Sequence, residues 1–298
     1  MPLHIKELAM QYKLAVIGCP VEHSLSPKIH RHFAAVHGHD VKYDPLLAPH
    51  VFAQTADEFF DEGGFGCNVT VPYKLNAYEY VTELTPRAQL ARSVNTIKLI
   101  GEKDGKRQFL GDNTDGYGLV YDLQRLNAPL KDGHVLILGA GGSCRGIVPC
   151  LADPALGLKA ITIVNRSSVK GREIIDFLRA NRQDLSPDLQ LESIRYDNLD
   201  PFRDYNMIIN TTSLSMENKL PPLHKDLTAN CPFVYDLFYN REGDTIFTRS
   251  CRASGAASCH DGLGMLVGQA ALAYELWTGV RPDIEKTLNY MRNYLING

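Results

Sequence analysis

The chain has 298 residues, 44 % of them hydrophobic and 22 % charged, with a formal net charge of -3. That length accommodates two domains of ordinary size, each able to bury a core without a metal or disulfide staple. The near-neutral charge and the lack of a basic run exclude a nucleic-acid surface, and no run of about 18 apolar residues marks a membrane span.

The N-terminal stretch MPLHIKELAMQYKLAVIG has no basic flank followed by a long apolar core, so it reads as neither a signal peptide nor an anchor. The seven cysteines are scattered and form no C-x-x-C pair. This argues for a reducing, cytoplasmic setting and against a disulfide framework. The ten histidines show no metal-ligand spacing, so no metal is expected.

KLAVIGC (13–19) reads as a strand stopped by Pro20. In SPKIHRHFAAVHG, Ser26 reads as an N-cap, Pro27 as the first helical residue and Gly38 as the stop. VKYDPLLA is a second strand, and FAQTADEFFDEG a helix closed by Gly63. NVTV (68–71) ends a third strand; Pro72 stops it, and Lys74 is expected in the following loop. LNAYEYVTE and PRAQLAR read as helices. VNTIKLI and RQFLGDNT form a hairpin turning at Asp104-Gly105.

A second unit begins near Asp115 with the helix DGYGLVYDLQRLN. HVLILGAGGSCRG is an apolar strand running through a glycine-rich turn into a helix, and AITIVNR is the next strand. The helix VKGREIIDFLRANR and the strands LQLESIRY, YNMIINTTS and FVYDLFY complete a nucleotide-binding pattern. The tail holds two helices, GMLVGQAALAYELWTG and DIEKTLNYMRNYLI; the first is apolar on most sides and should be buried.

Gly139, Ala140, Gly141 and Gly142 stand where a strand feeds a helix. There a glycine permits the tight turn, a second lets backbone approach a pyrophosphate, and the helix N-terminus offers amides to it. Cys144 occupies the place of the third glycine of G-x-G-x-x-G. The next strand ends in Asn165, where an NAD-binding unit usually has an acid, and Arg166, Ser167, Ser168 and Lys170 follow. A guanidinium can clamp a 2′-phosphate, so the preferred cofactor is NADP; the bland alternative is a solvated basic loop.

Other polar residues gather in short clusters. Ser24 and Ser26 lie just ahead of a helix and suit either capping or a substrate carboxylate. NVTVPYK supplies Asn68, Thr70 and Lys74, SVNT supplies Asn95, and GDNTDG supplies Asp115. Gln269 on the apolar tail helix needs a partner, which a hydroxyl-rich ligand could provide.

In order along the chain, HSLSP, NVTVPYK, VNT, GDNTDG, GAGGxxRG, NRS, IINTTS, YDLFY and DGLGMLVGQAA resemble the shikimate dehydrogenase family of the aromatic amino-acid pathway. The resemblance implies reversible NADPH-dependent reduction of 3-dehydroshikimate to shikimate. Carried over by position, it makes Lys74 and Asp115 the catalytic pair and gives Ser24 and Ser26 the carboxylate. Thr70, Asn95, Asp115, Tyr239 and Gln269 then shape the hydroxyl pocket. The turn from Gly139 to Gly142 takes the pyrophosphate, and Asn165, Arg166, Ser167 and Lys170 the adenosine end. Thr212, Leu237, Gly262 and Met265 join the cofactor site. The implied fold is two α/β domains with the active-site cleft between them. A mostly parallel substrate-binding sheet comes from 1–114 plus 262–298, and a Rossmann-like NADP-binding domain from 115–261. A monomer or homodimer would suit it.

Three residues depart from the family pattern: Glu22 where a small or apolar residue is usual, Cys144 where serine is frequent, and Ser215 where glycine is common. Two rival readings stay open. One is a quinate/shikimate dehydrogenase with relaxed substrate or NAD use. The other is a non-catalytic, ligand-binding regulatory relative, against which intact Lys74 and Asp115 argue.

Overall fold

The computed structural model describes residues 11–297, so most of the N-terminal stretch read above lies outside the described residues. The described chain divides into two compact units. One comprises residues up to Ala88, Ser93–Thr114 and Ala270–Thr287; the other comprises Gln89–Arg92, Asp115–Gln269 and residues from Leu288 on.

The first unit is built on a six-stranded sheet in the order β2-β1-β3-β5-β6-β4. Its strands are β1 (Gln11–Gly18), β2 (Asp40–Leu47), β3 (Gly66–Val69), β4 (Glu83–Leu84), β5 (Thr96–Lys103) and β6 (Lys106–Asp112). β1 runs parallel to both β2 and β3, while β5 and β6 form the antiparallel hairpin. Asp104 and Gly105 turn that hairpin at φ of 53° and 71°, as a two-residue turn between right-twisted strands requires.

Alternate residues of β1 enter opposite cores. Ala15 and Ile17 join Phe52, Phe60 and Ile97; Leu14 and Val16 join Tyr43, Ala273 and Trp277. Both faces are covered, which explains the unbroken apolar run in the sequence.

Helices α1 (Ser26–His37) and α2 (Phe52–Asp61) follow β1 and β2. α1 ends at Gly38 in the left-handed region, as expected, but its start differs. Ser26 is already the first helical residue and Leu25 precedes it without capping; Ser24 Oγ instead accepts the Ser26 amide at 3.2 Å. Lys74 likewise lies not in a loop but at the first position of α3 (Lys74–Tyr80). The stretch after α3, expected to stay helical, forms the short strand β4 parallel to β6. There the Thr82 amide donates to the Phe109 carbonyl at 3.1 Å, a pairing that helix periodicity cannot anticipate. α4 (Pro86–Ala91) follows. At its start Arg87 grips the buried Asp112 carboxylate with two nitrogens, and Thr85 adds a hydroxyl at 2.6 Å.

The second unit has a six-stranded, all-parallel sheet ordered β12-β11-β10-β7-β8-β9. The strands are β7 (His134–Leu138), β8 (Ala160–Asn165), β9 (Gln190–Arg195), β10 (Met207–Asn210), β11 (Phe233–Asp236) and β12 (Ser258–His260). Helices α5 (Asp115–Arg125), α6 (Gly142–Leu151) and α7 (Ser168–Asn181) pack with Val135, Ile137, Ile161 and Ile163 into one core. The other face buries Leu136, Leu138, Val234 and Phe247.

Two further helices, α8 (Lys225–Ala229) and α9 (Ile246–Ser254), and the strand β12 have no counterpart in the sequence reading. α9 does carry readable ends: Thr245 accepts the Thr248 amide and Gly255 stops it at a φ of 112°. The tail forms α10 (Leu263–Thr278) and α11 (Ile284–Asn297). α10 is buried along most of its length, as its apolar sequence requires.

Candidate active site

In the first unit, polar residues collect at the carboxyl ends of the neighbouring parallel strands β1 and β3. The loops leaving these strands are tied together: Cys19 N–H donates to the Val71 carbonyl at 3.0 Å and Thr70 N–H to the Ile17 carbonyl at 2.9 Å. Each loop holds a cis X-Pro bond, at Cys19–Pro20 and Val71–Pro72. Gly18 is required here, because a Cβ would come within 2.3 Å of Thr70 Cγ2.

Asn68 is buried and spends its side chain on the scaffold. It accepts from the Tyr43 hydroxyl at 2.7 Å and donates to the Asn95 carbonyl and Thr96 Oγ1 at 3.2 and 3.1 Å. Asn95 is also buried. Its Oδ1 accepts the Thr114 amide and the Thr96 hydroxyl, both at 2.9 Å, and its Nδ2 donates to Thr114 Oγ1 at 2.9 Å. This lattice makes a stiff floor at the start of β5, which pairs with β3. Lys74 stands half-buried beside it, anchored through its carbonyl, which accepts the Val94 amide at 2.9 Å. Ser24, Ser26, Thr70, Lys74 and Asn95 thus lie on adjoining segments of one unit. Glu22 is exposed and folds back to accept the Val21 amide at 3.1 Å, leaving the serines to themselves.

The other expected residues belong to the second unit. Asp115 is buried and opens α5, at the helix end that favours a carboxylate. Gln269 is buried on α10 and donates to the Leu266 carbonyl one turn back at 2.9 Å, so protein meets part of the need assigned above to a ligand. Met265 N–H donates to the Tyr235 hydroxyl at 3.3 Å, and Tyr235 in turn donates to Asp122 at 2.7 Å. Gly262 packs against the loop after β11, where a Cβ would stand 2.1 Å from the Leu237 carbonyl. Tyr239 is half-buried, its ring 6.1 Å from that of Phe238.

The glycine-rich turn follows β7. Gly139 has a φ of +98°, a conformation that side chains strain, and its amide donates to the Val164 carbonyl at 2.8 Å. A Cβ at Gly141 would meet no protein atom within 4 Å. The chain's own packing therefore does not demand glycine at 141, and the open space there leaves room for a phosphate against the first amides of α6. Cys144 faces the core, and burial pushes its thiol up to about 12.

At the end of β8, Asn165 Nδ2 donates to the Ser167 carbonyl at 3.2 Å, and Ser167 caps α7 by accepting the Val169 amide at 3.3 Å. Arg166 and Lys170 are exposed, and among the described residues neither has an ion-pair partner. Two unneutralised cations and no carboxylate at this strand end fit a dianionic 2′-phosphate.

Sequence reasoning passed over the polar core behind the remaining loops. Asn210, at the end of β10, holds Thr212 by its amide at 3.1 Å and its hydroxyl at 2.7 Å. Asp236, at the end of β11, is fully buried and accepts from Asn210, Ser215, Phe238 and Thr245. The polar ends of the apolar runs IINTTS and YDLFY were the available signal.

Known proteins resemble this chain over most of its length. Residues 16–97 match the shikimate dehydrogenase substrate binding domain, and residues 262–289 the shikimate 5'-dehydrogenase C-terminal domain. A shikimate dehydrogenase (NADP(+)) of Ruthia magnifica is 41 % identical over 286 residues, covering 95 % of this chain and 100 % of that protein. Its counterpart in Cellvibrio japonicus is 42 % identical over 284 residues, covering 94 % and 97 %. The crystal structure of shikimate 5-dehydrogenase from Thermus thermophilus, in complex with NADP(H) and shikimate, superposes with a TM-score of 0.76 at 29 % identity over 95 % of this chain and 99 % of that one.

Proposed function

Because this chain belongs to the shikimate dehydrogenase family, we propose that it is an NADP-dependent shikimate dehydrogenase. It interconverts shikimate and 3-dehydroshikimate within aromatic amino-acid biosynthesis, in the cytoplasm. No helix among the described residues is long and apolar enough to cross a membrane. The observation that carries the cofactor choice is the pair Arg166 and Lys170, without counter-charge, after a strand that ends in Asn165. The proposed domains are 1–114 plus 262–298 for substrate and 115–261 for NADP.

The chemistry divides between groups that bind and one that moves a proton. NADP, when bound, would supply the hydride acceptor for the carbinol carbon, and NADPH the donor for the ketone. In the oxidative direction Lys74 Nζ takes the hydroxyl proton; in the reductive direction it stabilises and then protonates the developing alkoxide. Asp115 accepts a hydrogen bond from a substrate hydroxyl. The hydroxyls of Ser24 and Ser26 hold the carboxylate at the start of α1. Thr70, Asn95, Tyr239 and Gln269 bound the ring hydroxyls, with Asn95 held rigid by Thr96 and Thr114. On the cofactor side the turn from Gly139 through Ala140 to Gly142 takes the pyrophosphate. Arg166, Ser167 and Lys170 take the 2′-phosphate, and Thr212, Leu237, Gly262 and Met265 flank the rest.

The test is product identification. Shikimate incubated with the protein and NADP should yield a product two hydrogens lighter, together with an equal amount of NADPH. NADPH formation without that product would overturn the substrate assignment.

A further inference from the structure

Asp236 presents an unusual problem in a buried core. Its side chain is inaccessible to solvent, and a bare carboxylate there is costly. All four of its hydrogen-bond donors are neutral. Oδ1 accepts the Asn210 amide group at 3.0 Å and the Phe238 backbone N–H at 3.2 Å, and Oδ2 accepts the Thr245 hydroxyl at 2.6 Å and the Ser215 hydroxyl at 2.7 Å. Burial pushes the carboxyl above its ordinary range, and the four donors pull it back.

The four donors come from separate segments. Asn210 ends β10, Ser215 lies in the short 3-10 turn Leu214–Glu217 beyond it, Phe238 follows β11, and Thr245 caps α9. Asn210 bonds to Ser215 Oγ at 3.2 Å and also carries Thr212 on its Oδ1. One carboxylate therefore links the loop bearing Thr212 with the loop bearing Leu237 and Tyr239. Both loops leave the carboxyl ends of adjacent parallel strands, where such sheets bind ligands.

We propose that Ser215 is a positioning residue for the cofactor: its hydroxyl, bonded to the buried Asp236 carboxylate, locks the loops after β10 and β11 in register and thereby sets the affinity for NADP. The inference rests on the NADP reading above and adds a buried residue whose hydroxyl is bonded to Asp236. Glycine at this position, common in the family, cannot make the bond. Without it, Oδ2 keeps the Thr245 hydroxyl, and the 3-10 turn loses the side-chain tie that Ser215 makes to β11.

The experiment compares wild type with Ser215→Ala and Ser215→Thr, the second retaining a hydroxyl. Loss of one hydrogen bond to a charged group should raise KM for NADP about fivefold or more in Ser215→Ala. KM for shikimate and kcat should stay within about twofold of wild type, and Ser215→Thr should restore most of the NADP affinity. Hydrogen exchange on the cofactor-free protein supplies a readout independent of turnover. In Ser215→Ala the Thr212 and Phe238 amides should both exchange faster. An unchanged KM for NADP overturns the proposal, whether or not thermal stability falls. So does unaltered exchange at either amide. Failure of the underlying reading appears separately, as a wild type that does not turn over shikimate with NADP.

Discussion

The backbone carbonyl of Lys74 accepts the amide of Val94 at 2.9 Å. This bond fixes the first residue of α3 against the approach to β5, next to Asn95, and it involves no atom of the lysine side chain. Truncating that side chain therefore leaves the anchor in place. Lys74→Ala should fold with an unchanged circular dichroism spectrum and still bind shikimate, while kcat falls ~10²-fold or more through loss of the proton carrier. Near-normal kcat in the folded variant contradicts the assignment.

Ser24 has a structural duty as well as the proposed binding one. Its Oγ accepts the Ser26 amide at 3.2 Å, which leaves the hydroxyl proton to donate to a carboxylate. Ser24→Ala should lose up to about 1 kcal/mol of stability as a helix-start partner. It should also raise KM for shikimate by the equivalent of ~1.5–3 kcal/mol, one charge-assisted hydrogen bond. A fall in thermal stability with no change in KM shows that the hydroxyl serves the helix alone.

Arg166 is the residue proposed to discriminate between cofactors. It is exposed and near Tyr196, whose hydroxyl burial pushes up to about 12 against the opposing pull of that guanidinium. Two charge-assisted contacts to a 2′-phosphate should favour NADP by roughly 10²-fold or more over NAD. Arg166→Ala should collapse this ratio with little change in the NAD reaction, and added salt should erode the wild-type preference. Steady-state kinetics with both cofactors at fixed ionic strength measures it; a ratio that survives the substitution removes Arg166 from the site.

His30 predicts an acid limit to stability. Its ring is fully buried and stacked on Tyr43, centroids 4.4 Å apart and planes 5° from parallel. Burial pushes its pKa from 6.5 down to about 3. A folded-state value below the unfolded one means that the unfolded chain binds the proton first. The stability contributed by the neutral imidazole is therefore full well above pH 6.5 and shrinks as pH falls from there toward 3; at one pH unit below the unfolded value the loss is about 1.4 kcal/mol. His134, pushed down to about 4 by burial, acts in the same direction. Denaturant unfolding across this range should show His30→Phe flatter than wild type. Parallel curves would mean that the buried imidazole does not govern the acid limb.

Much of this molecule was readable because its signals are local. Gly139 at positive φ, Gly38 ending α1 and the Asp104-Gly105 turn are positions where backbone conformation selects the residue. Asn165 in place of an acid is equally local. What stayed hidden depends on long-range pairing. Glu83–Leu84 became a strand because β6 lies beside it, and β12 has only three residues and no apolar repeat. Ser26 was displaced from the cap by one residue, a shift that side-chain preference alone does not resolve. The buried carboxylate of Asp236 was hidden for the same reason. Asp is ordinarily an exposed residue, and its donors are spread from Asn210 to Thr245.

Oxidation of shikimate with NADP by this chain is tested most directly by a four-way assay. Purified protein is given shikimate or quinate with NADP or NAD, and initial rates of reduced cofactor are followed at one ionic strength. The highest kcat/KM is expected for shikimate with NADP, and roughly 10²-fold or more below that for shikimate with NAD. Equal efficiency with NAD would contradict the cofactor assignment and favour a quinate/shikimate enzyme. No turnover in any of the four combinations would contradict catalysis itself.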